Sequence, residues 1–321
     1  GQNLNYFEKG EKGTAYELTY GWKDYGKNEH YISFSISKQQ LKEADDEFGY
    51  DEQELEKNLA EIEEKMREKM IVHLKKFTAG LIGKSTYQEY IFIEDIDALN
   101  FKLKLSSPPP LYDKAKAEFE MIKLRMADEQ TLYVKKIEKE LENKKREFLE
   151  QRGFRLVSDK ISVNYGLSVQ NNRPRVKHVL EVMMKVDRKA SLQRFLGLML
   201  AFIQEIRYGI PPLRENNKLI LEFYVPPKVL VNNLGDCDSK GVAFASLWTN
   251  FKRYPLILIK IPKHLFVGLA VPSMGKEGIT VNGLRYTLCE VTGPEKMPPG
   301  LITQYSALYL QGGKFRYELI K

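Results

Sequence analysis

The chain has 321 residues, 43% of them hydrophobic, which is enough for a substantial core and for two domains, or one domain with a large extension. No run is long and apolar enough to cross a bilayer, and two cysteines, Cys237 and Cys289, exclude a disulfide scaffold and a multi-cysteine metal site. The formal charge of +7 is uneven: residues 1–187 hold 32 basic against 34 acidic side chains, and residues 188–321 hold 18 against 9. An anionic partner could therefore meet the C-terminal part, yet no nucleic-acid-binding module is recognisable there, so an ordinary soluble surface and no nucleic-acid partner are expected.

The chain begins Gly1-Gln2-Asn3 without an initiator Met. A start removed by cutting is the expectation, with a lost signal peptide, and hence a periplasmic or secreted protein, favoured over a lost disordered tail. Tyr16, Leu18, Tyr20 and Trp22 alternate, as do Ile32, Phe34 and Ile36, with a turn-like stretch from Lys23 to Asn28 between them, which predicts a hairpin over residues 15–37. From residue 38 Glu and Lys dominate. Leu55, Leu59, Ile62, Met66, Met70, Leu74 and Phe77 recur at helical steps, and Gly49 places the start of a long amphipathic helix near Asp51. Residues 79–111 read as a link with two short strands, Tyr90–Ile93 and Leu99–Leu103. The run Gly80-Leu81-Ile82-Gly83-Lys84-Ser85-Thr86 looks like a phosphate-cradling loop, but Thr78 stands where the first glycine is required.

Phe119, Ile122, Met126, Tyr133, Ile137, Leu141 and Phe148 mark a second long helix over residues 112–151. The two helices should pair as an antiparallel, coiled-coil-like hairpin, a spacer or a partner-binding arm. Residues 154–187 are expected to return to strands, with Ile161–Tyr165 and Val176–Val186 joined by a turn at Asn171–Pro174. Leu192 to Ile206 predicts a buried helix stopped by Pro211-Pro212, with Gln204 on its surface. Further strands are expected over Pro255–Ile261 and Val267–Val271. Asn282-Gly283 predicts a type I′ hairpin, and a last hairpin is expected across Gly312-Gly313.

Chemistry concentrates at Gly235-Asp236-Cys237-Asp238-Ser239-Lys240-Gly241, a glycine turn leading into an apolar helix. A thiol reacts as thiolate, and a helix N-terminus favours negative charge. Asp236 and Asp238 oppose that by repulsion, so His264 is the expected positive partner and general base, with Glu290 orienting the imidazole. The face bearing Glu290, Leu288 and Tyr286 is expected to lie against the helix face of Cys237, Gly241, Phe244, Trp248 and Phe251. Cys289 then becomes a small core residue away from the chemistry. Asp236-x-Asp238-x-x-Gly241 mimics a calcium loop, but its fifth position is Lys240 and its twelfth is Leu247. Zinc on Cys237 and His264 lacks the usual ligand spacing. No metal and no cofactor are expected.

Five elements in order resemble bacterial members of the transglutaminase-like cysteine peptidase superfamily: Ile203-Gln204-Glu205-Ile206-Arg207-Tyr208, Pro227-Lys228-Val229-Leu230, Gly235-Asp236-Cys237-Asp238, His264, and Glu290-Val291-Thr292. The resemblance covers about residues 190–300. It implies an α+β, papain-like core, with the cysteine helix packed on an antiparallel sheet, and a triad of Cys237 as nucleophile, His264 as base and Glu290 as orienter. Glu stands where Asp is usual, and the aromatic after the histidine, Phe266, comes one residue late. The division expected is a β region over residues 1–187, carrying the helical hairpin at about 38–151, and a catalytic domain over 188–321. The expected activity is thiol-dependent hydrolysis of an amide in a protein or peptide. A transamidase, and a non-catalytic scaffold binding a protein through the arm, are the alternatives.

Overall fold

A computed structural model describes residues 4–97, 100–251, 253–272, 277–293 and 295–320. Gly1 and Leu99 lie outside them. Residues 1–50 and 150–321 form one compact unit, and residues 51–149 form another.

The first unit opens with β1 (Tyr6–Lys12), β2 (Ala15–Lys23) and β3 (Glu29–Ser37), an antiparallel sheet in that order. The expected alternation holds: Leu18, Tyr20, Trp22, Ile32, Phe34 and Ile36 are buried, with Leu18 opposite Phe34 and Tyr20 opposite Ile32. Strand β1 was not expected, because its charged, largely exposed residues carry no apolar alternation. Helix α1 (Lys38–Glu47) follows, its free N–H groups capped by the Ser37 hydroxyl.

In the second unit α2 (Glu52–Ile82) starts where expected, with Asp51 as its cap, and the phosphate-loop look-alike is its C-terminal end and the turn that follows. Strands β4 (Ile91–Asp97) and β5 (Asn100–Leu105) pair antiparallel, and α3 (Tyr112–Gln151) returns. Met70, Ile71 and Leu74 of α2 bury against Ile137 of α3. His73 meets Glu129 at 2.6 Å, and Ser85 near the end of α2 bonds Glu118 near the start of α3, so the helices run antiparallel.

Back in the first unit, β6 (Phe154–Val157) pairs with β7 (Lys160–Val163). The strand expected over Val176–Val186 is instead part of a helix, α4 (Tyr165–Met183), with Pro174 inside it. Its β-branched residues and Asn-Asn-Arg-Pro resemble strand and turn. Yet Val169, Val176, Val179, Leu180 and Met183 share one buried face, and packing that face on a neighbouring helix outweighs the backbone bond lost at proline. Next comes α5 (Leu192–Glu205), whose Phe202 packs edge-on against Tyr20 at 5.2 Å and Trp22 at 5.4 Å, joining it to the N-terminal sheet.

Short pieces follow: β8 (Arg207–Tyr208), β9 (Arg214–Glu215), β10 (Lys218–Leu219), α6 (Pro226–Asn232) and β11 (Leu234–Gly235). Strand β11 runs parallel to β8, with Gly235 opposite Tyr208. Then come α7 (Cys237–Trp248), β12 (Leu256–Ile261), β13 (His264–Leu269), β14 (Gly278–Val281), β15 (Leu284–Cys289), α8 (Gln304–Gln311) and β16 (Arg316–Ile320). The five strands form one antiparallel sheet in the order β14-β15-β13-β12-β16. The expected last hairpin is a correction: Ala307–Leu310 lies in α8, started by the Thr303 hydroxyl capping the amide of Ser306, and only β16 is a strand. Among the described residues no helix is long and apolar enough to cross a membrane. The chain is thus α+β, with a cysteine-bearing helix on an antiparallel sheet.

Candidate active site

Asp236 is the N-cap of α7, its carboxylate accepting the amide of Ser239 at 2.9 Å, and this puts Cys237 at the first helical position. The helix lies directly on β13, since a Cβ on Gly241 would come 2.3 Å from Leu265 and 3.8 Å from Val291. The expected facing is therefore corrected. Leu265 and Val291 alternate with His264 and Glu290, so α7 covers the face opposite to the one expected. Phe266, Tyr286 and Leu288 instead pack with Tyr309 and Leu310 of α8. Residue alternation was read correctly, but it does not say on which face a helix settles.

His264 and Glu290 nonetheless meet, because one opens β13 and the other follows the last residue of β15. His264 Nε2 lies 2.7 Å from Glu290 Oε2, which leaves Nδ1 as the second ring nitrogen. The ring stacks on Phe266 with centroids 5.8 Å apart. Glu290 is 3% exposed, and its other oxygen accepts Ser306 Oγ at 2.7 Å and the Thr303 amide at 3.3 Å. Burial by itself would raise this carboxyl, but the bond and charge of His264 and the bond from Ser306 hold it below the usual carboxylate range.

Cys237 is partly buried and close enough to the backbone amide of Leu265, the residue after His264, for that N–H to favour the thiolate. Its thiol bonds Asp238 Oδ1 at 3.4 Å, and among the described residues it makes no hydrogen bond to His264. Burial, then the charges of Asp238 and Asp236, push the thiol well above the ordinary cysteine range. Asp236 is itself raised by burial and by Asp238. Cys289 is fully buried opposite Val267 and pushed up to about 12 by burial.

Four side chains around the site were given no part in it by the sequence reading. Gln204, expected on a helix surface, is 1% exposed; its amide nitrogen donates to the backbone carbonyls of Glu290 at 2.7 Å and Met297 at 2.9 Å, and its oxygen accepts Tyr25 Oη at 3.0 Å. Lys240 is fully buried, donating to the carbonyls of Ile206 at 2.7 Å, Gln204 at 3.5 Å and Thr292. It ties α7 to the end of α5 and to the segment after Glu290. Burial draws its ammonium down to about 7, against the pull of Glu205. Tyr165 of α4 and Lys260 of β12 both contact Asp238. The sequence held one signal for Lys240, a lysine directly before the apolar run Gly241–Ala245.

Asp236, Cys237 and Asp238 offer ligand atoms within 4.8 Å of one another. A cation there would share Asp236 with the helix cap and compete with the Lys260 ammonium 3.2 Å from Asp238. The arrangement suits a thiol and an oriented imidazole better than a metal. Compared with protein-family models, with curated proteins and with solved structures, the chain matches none.

The close seat of α7 on β13 makes Gly241→Ala a direct probe. The added methyl meets the buried end of Leu265, so a loss of about 1–3 kcal/mol is expected in denaturant unfolding. Cutting Leu265 back to Val in the same chain is expected to restore part of it.

Proposed function

We propose that the chain is a thiol-dependent amide hydrolase acting on a protein or peptide through an acyl-enzyme on Cys237. The observation that carries this is the pairing of a half-buried His264 with a buried Glu290, 2.7 Å apart, the imidazole's other nitrogen having no hydrogen-bond partner among the described residues and the thiol lying beside the next residue's amide. In this reading Glu290 accepts Nε2–H and holds the neutral ring in the tautomer whose Nδ1 has a lone pair. Nδ1 takes the thiol proton as sulfur attacks the carbonyl carbon, then returns it to the leaving amine as the C–N bond breaks. Water attacks the thioester, giving its proton to Nδ1, and the thiol is restored as the acid leaves. An amine in place of water would give transamidation. The Cys237 amide at the start of α7 is the candidate donor to the developing oxyanion.

A non-catalytic scaffold, with partners meeting the helical arm, is the second reading. It is favoured by the thiol's bond to Asp238 rather than to His264. A comparison of wild type with Cys237→Ala on a whole proteome separates them. New protein termini or deamidated side chains are expected with wild type alone, together with an acyl adduct on Cys237 by mass spectrometry. Indistinguishable product sets and no adduct would support the scaffold.

A further inference from the structure

Cys237 also takes part in a network separate from the imidazole pair. Asp238 Oδ1 accepts the thiol at 3.4 Å, while Oδ2 accepts Tyr165 Oη and Lys260 Nζ, the latter at 3.2 Å. Lys260 also donates to Tyr165 Oη at 2.8 Å. Three elements thus converge on one carboxylate, which joins the sulfur in turn: α4 brings the phenol, β12 the ammonium and α7 the aspartate. Ordinary helix building does not need this, since the cap of α7 is Asp236. Asp238 is therefore available for a different task, and both of its oxygens are committed.

We propose that Asp238, clamped by Tyr165 and Lys260, is a positioning residue that keeps the Cys237 proton on the sulfur, facing its own carboxylate rather than His264, in the resting protein. This deepens the hydrolase reading by assigning it a guarded ground state. A thiol that donates to a carboxylate loses a good acceptor on ionising and gains a like charge beside it, so the neutral form is favoured. Lys260 acts in the opposite direction, because its charge offsets that of Asp238. The groups facing the sulfur are Asp236 and Asp238 at the start of α7, Tyr165 on α4 with Lys260 beyond it on β12, Tyr208 on β8 and the Leu265 amide on β13. Of the carboxylates, Asp236 is held by its cap, which leaves Asp238 as the one in hydrogen-bonding contact with the thiol.

The test is the pH dependence of alkylation by iodoacetamide, read at Cys237 by peptide mass spectrometry in the full chain, with Cys289 as an internal reference. Asp238→Asn is expected to move the midpoint down by about one pH unit, which is roughly tenfold faster labelling below the wild-type midpoint. Lys260→Met is expected to move it up. Opposed shifts distinguish positioning from a structural role, since general loosening would expose the sulfur and speed labelling in both variants. If Asp238→Asn does not fold, Lys260→Met carries the test, its side chain being about half exposed. An Asp238→Asn midpoint equal to wild type, or a shift of Lys260→Met downward, overturns the proposal. The readout needs no substrate, so it succeeds or fails independently of whether amides are hydrolysed.

Discussion

Glu290→Gln is expected to lower kcat/KM on any substrate found for the wild type by about 10³–10⁴-fold, the scale on which imidazole-orienting carboxylates act. The substitution keeps shape and burial. Its amide nitrogen or its amide oxygen must face Nε2 of His264, while the other end faces Ser306 and the Thr303 amide. Both Thr303 N–H and Ser306 O–H are donors here, so they select the oxygen. The NH₂ group is left facing His264 and selects the tautomer with its lone pair on Nε2 and its proton on Nδ1. That ring cannot accept a thiol proton at Nδ1. Glu290→Ala is expected to do more harm to the fold, about 1–3 kcal/mol, because it removes the acceptor that His264, Ser306 Oγ and the Thr303 amide share. Activity assays paired with denaturant unfolding separate the two effects. A Glu290→Gln enzyme within tenfold of wild type would show that the imidazole needs no orienter. The pH sign follows from the depressed carboxyl. Its stabilisation is complete above the ordinary carboxylate range and is lost as pH falls through the folded value, so Glu290→Gln should flatten the acid limb of the stability profile.

Lys240→Met is expected to cost about 2–4 kcal/mol at pH 7 in urea unfolding. Methionine fills much of the volume but leaves the carbonyls of Ile206, Gln204 and Thr292 buried without that donor. The variant should also change the slope of stability with pH. In the folded protein the ammonium titrates near 7, against an ordinary 10.5. Between those values the unfolded chain binds more protons, so this lysine makes wild-type stability rise with pH across that window. Lys240→Met should lack the rise, and the cost of the substitution should be larger at pH 9 than at pH 7. A cost that shrinks from pH 7 to pH 9 would mean that the charged lysine stabilises the fold, contrary to this account.

Where one side chain's burial follows from local period, the sequence was legible. The alternation through Leu18, Tyr20 and Trp22, the helical step through Met70 and Leu74, and the Asn282-Gly283 turn all produced the expected elements. The turn before Cys237 and the imidazole opening a strand were legible in the same way. The misses have a common physical origin. Residues 165–183 carry the β-branched side chains and the proline of a strand and turn, and only the partner they pack against makes them a helix. Gln204 read as surface because a polar residue is expected outside, and Lys240 was given no structural part, whereas here buried carbonyls from distant segments supply partners for both. The choice of sheet face for α7 likewise rests on Gly241 meeting Leu265, a contact between segments 24 residues apart in sequence.

The amide of Gly49 donates to the carbonyl of Arg152 at 3.1 Å, so the chain leaves the first unit for the helical arm and re-enters it at neighbouring points. An excursion of nearly a hundred residues begins and ends at one doorway. The first unit's chain is thereby closed across the insertion by its own backbone bond, so its continuity does not depend on the length of residues 51–149.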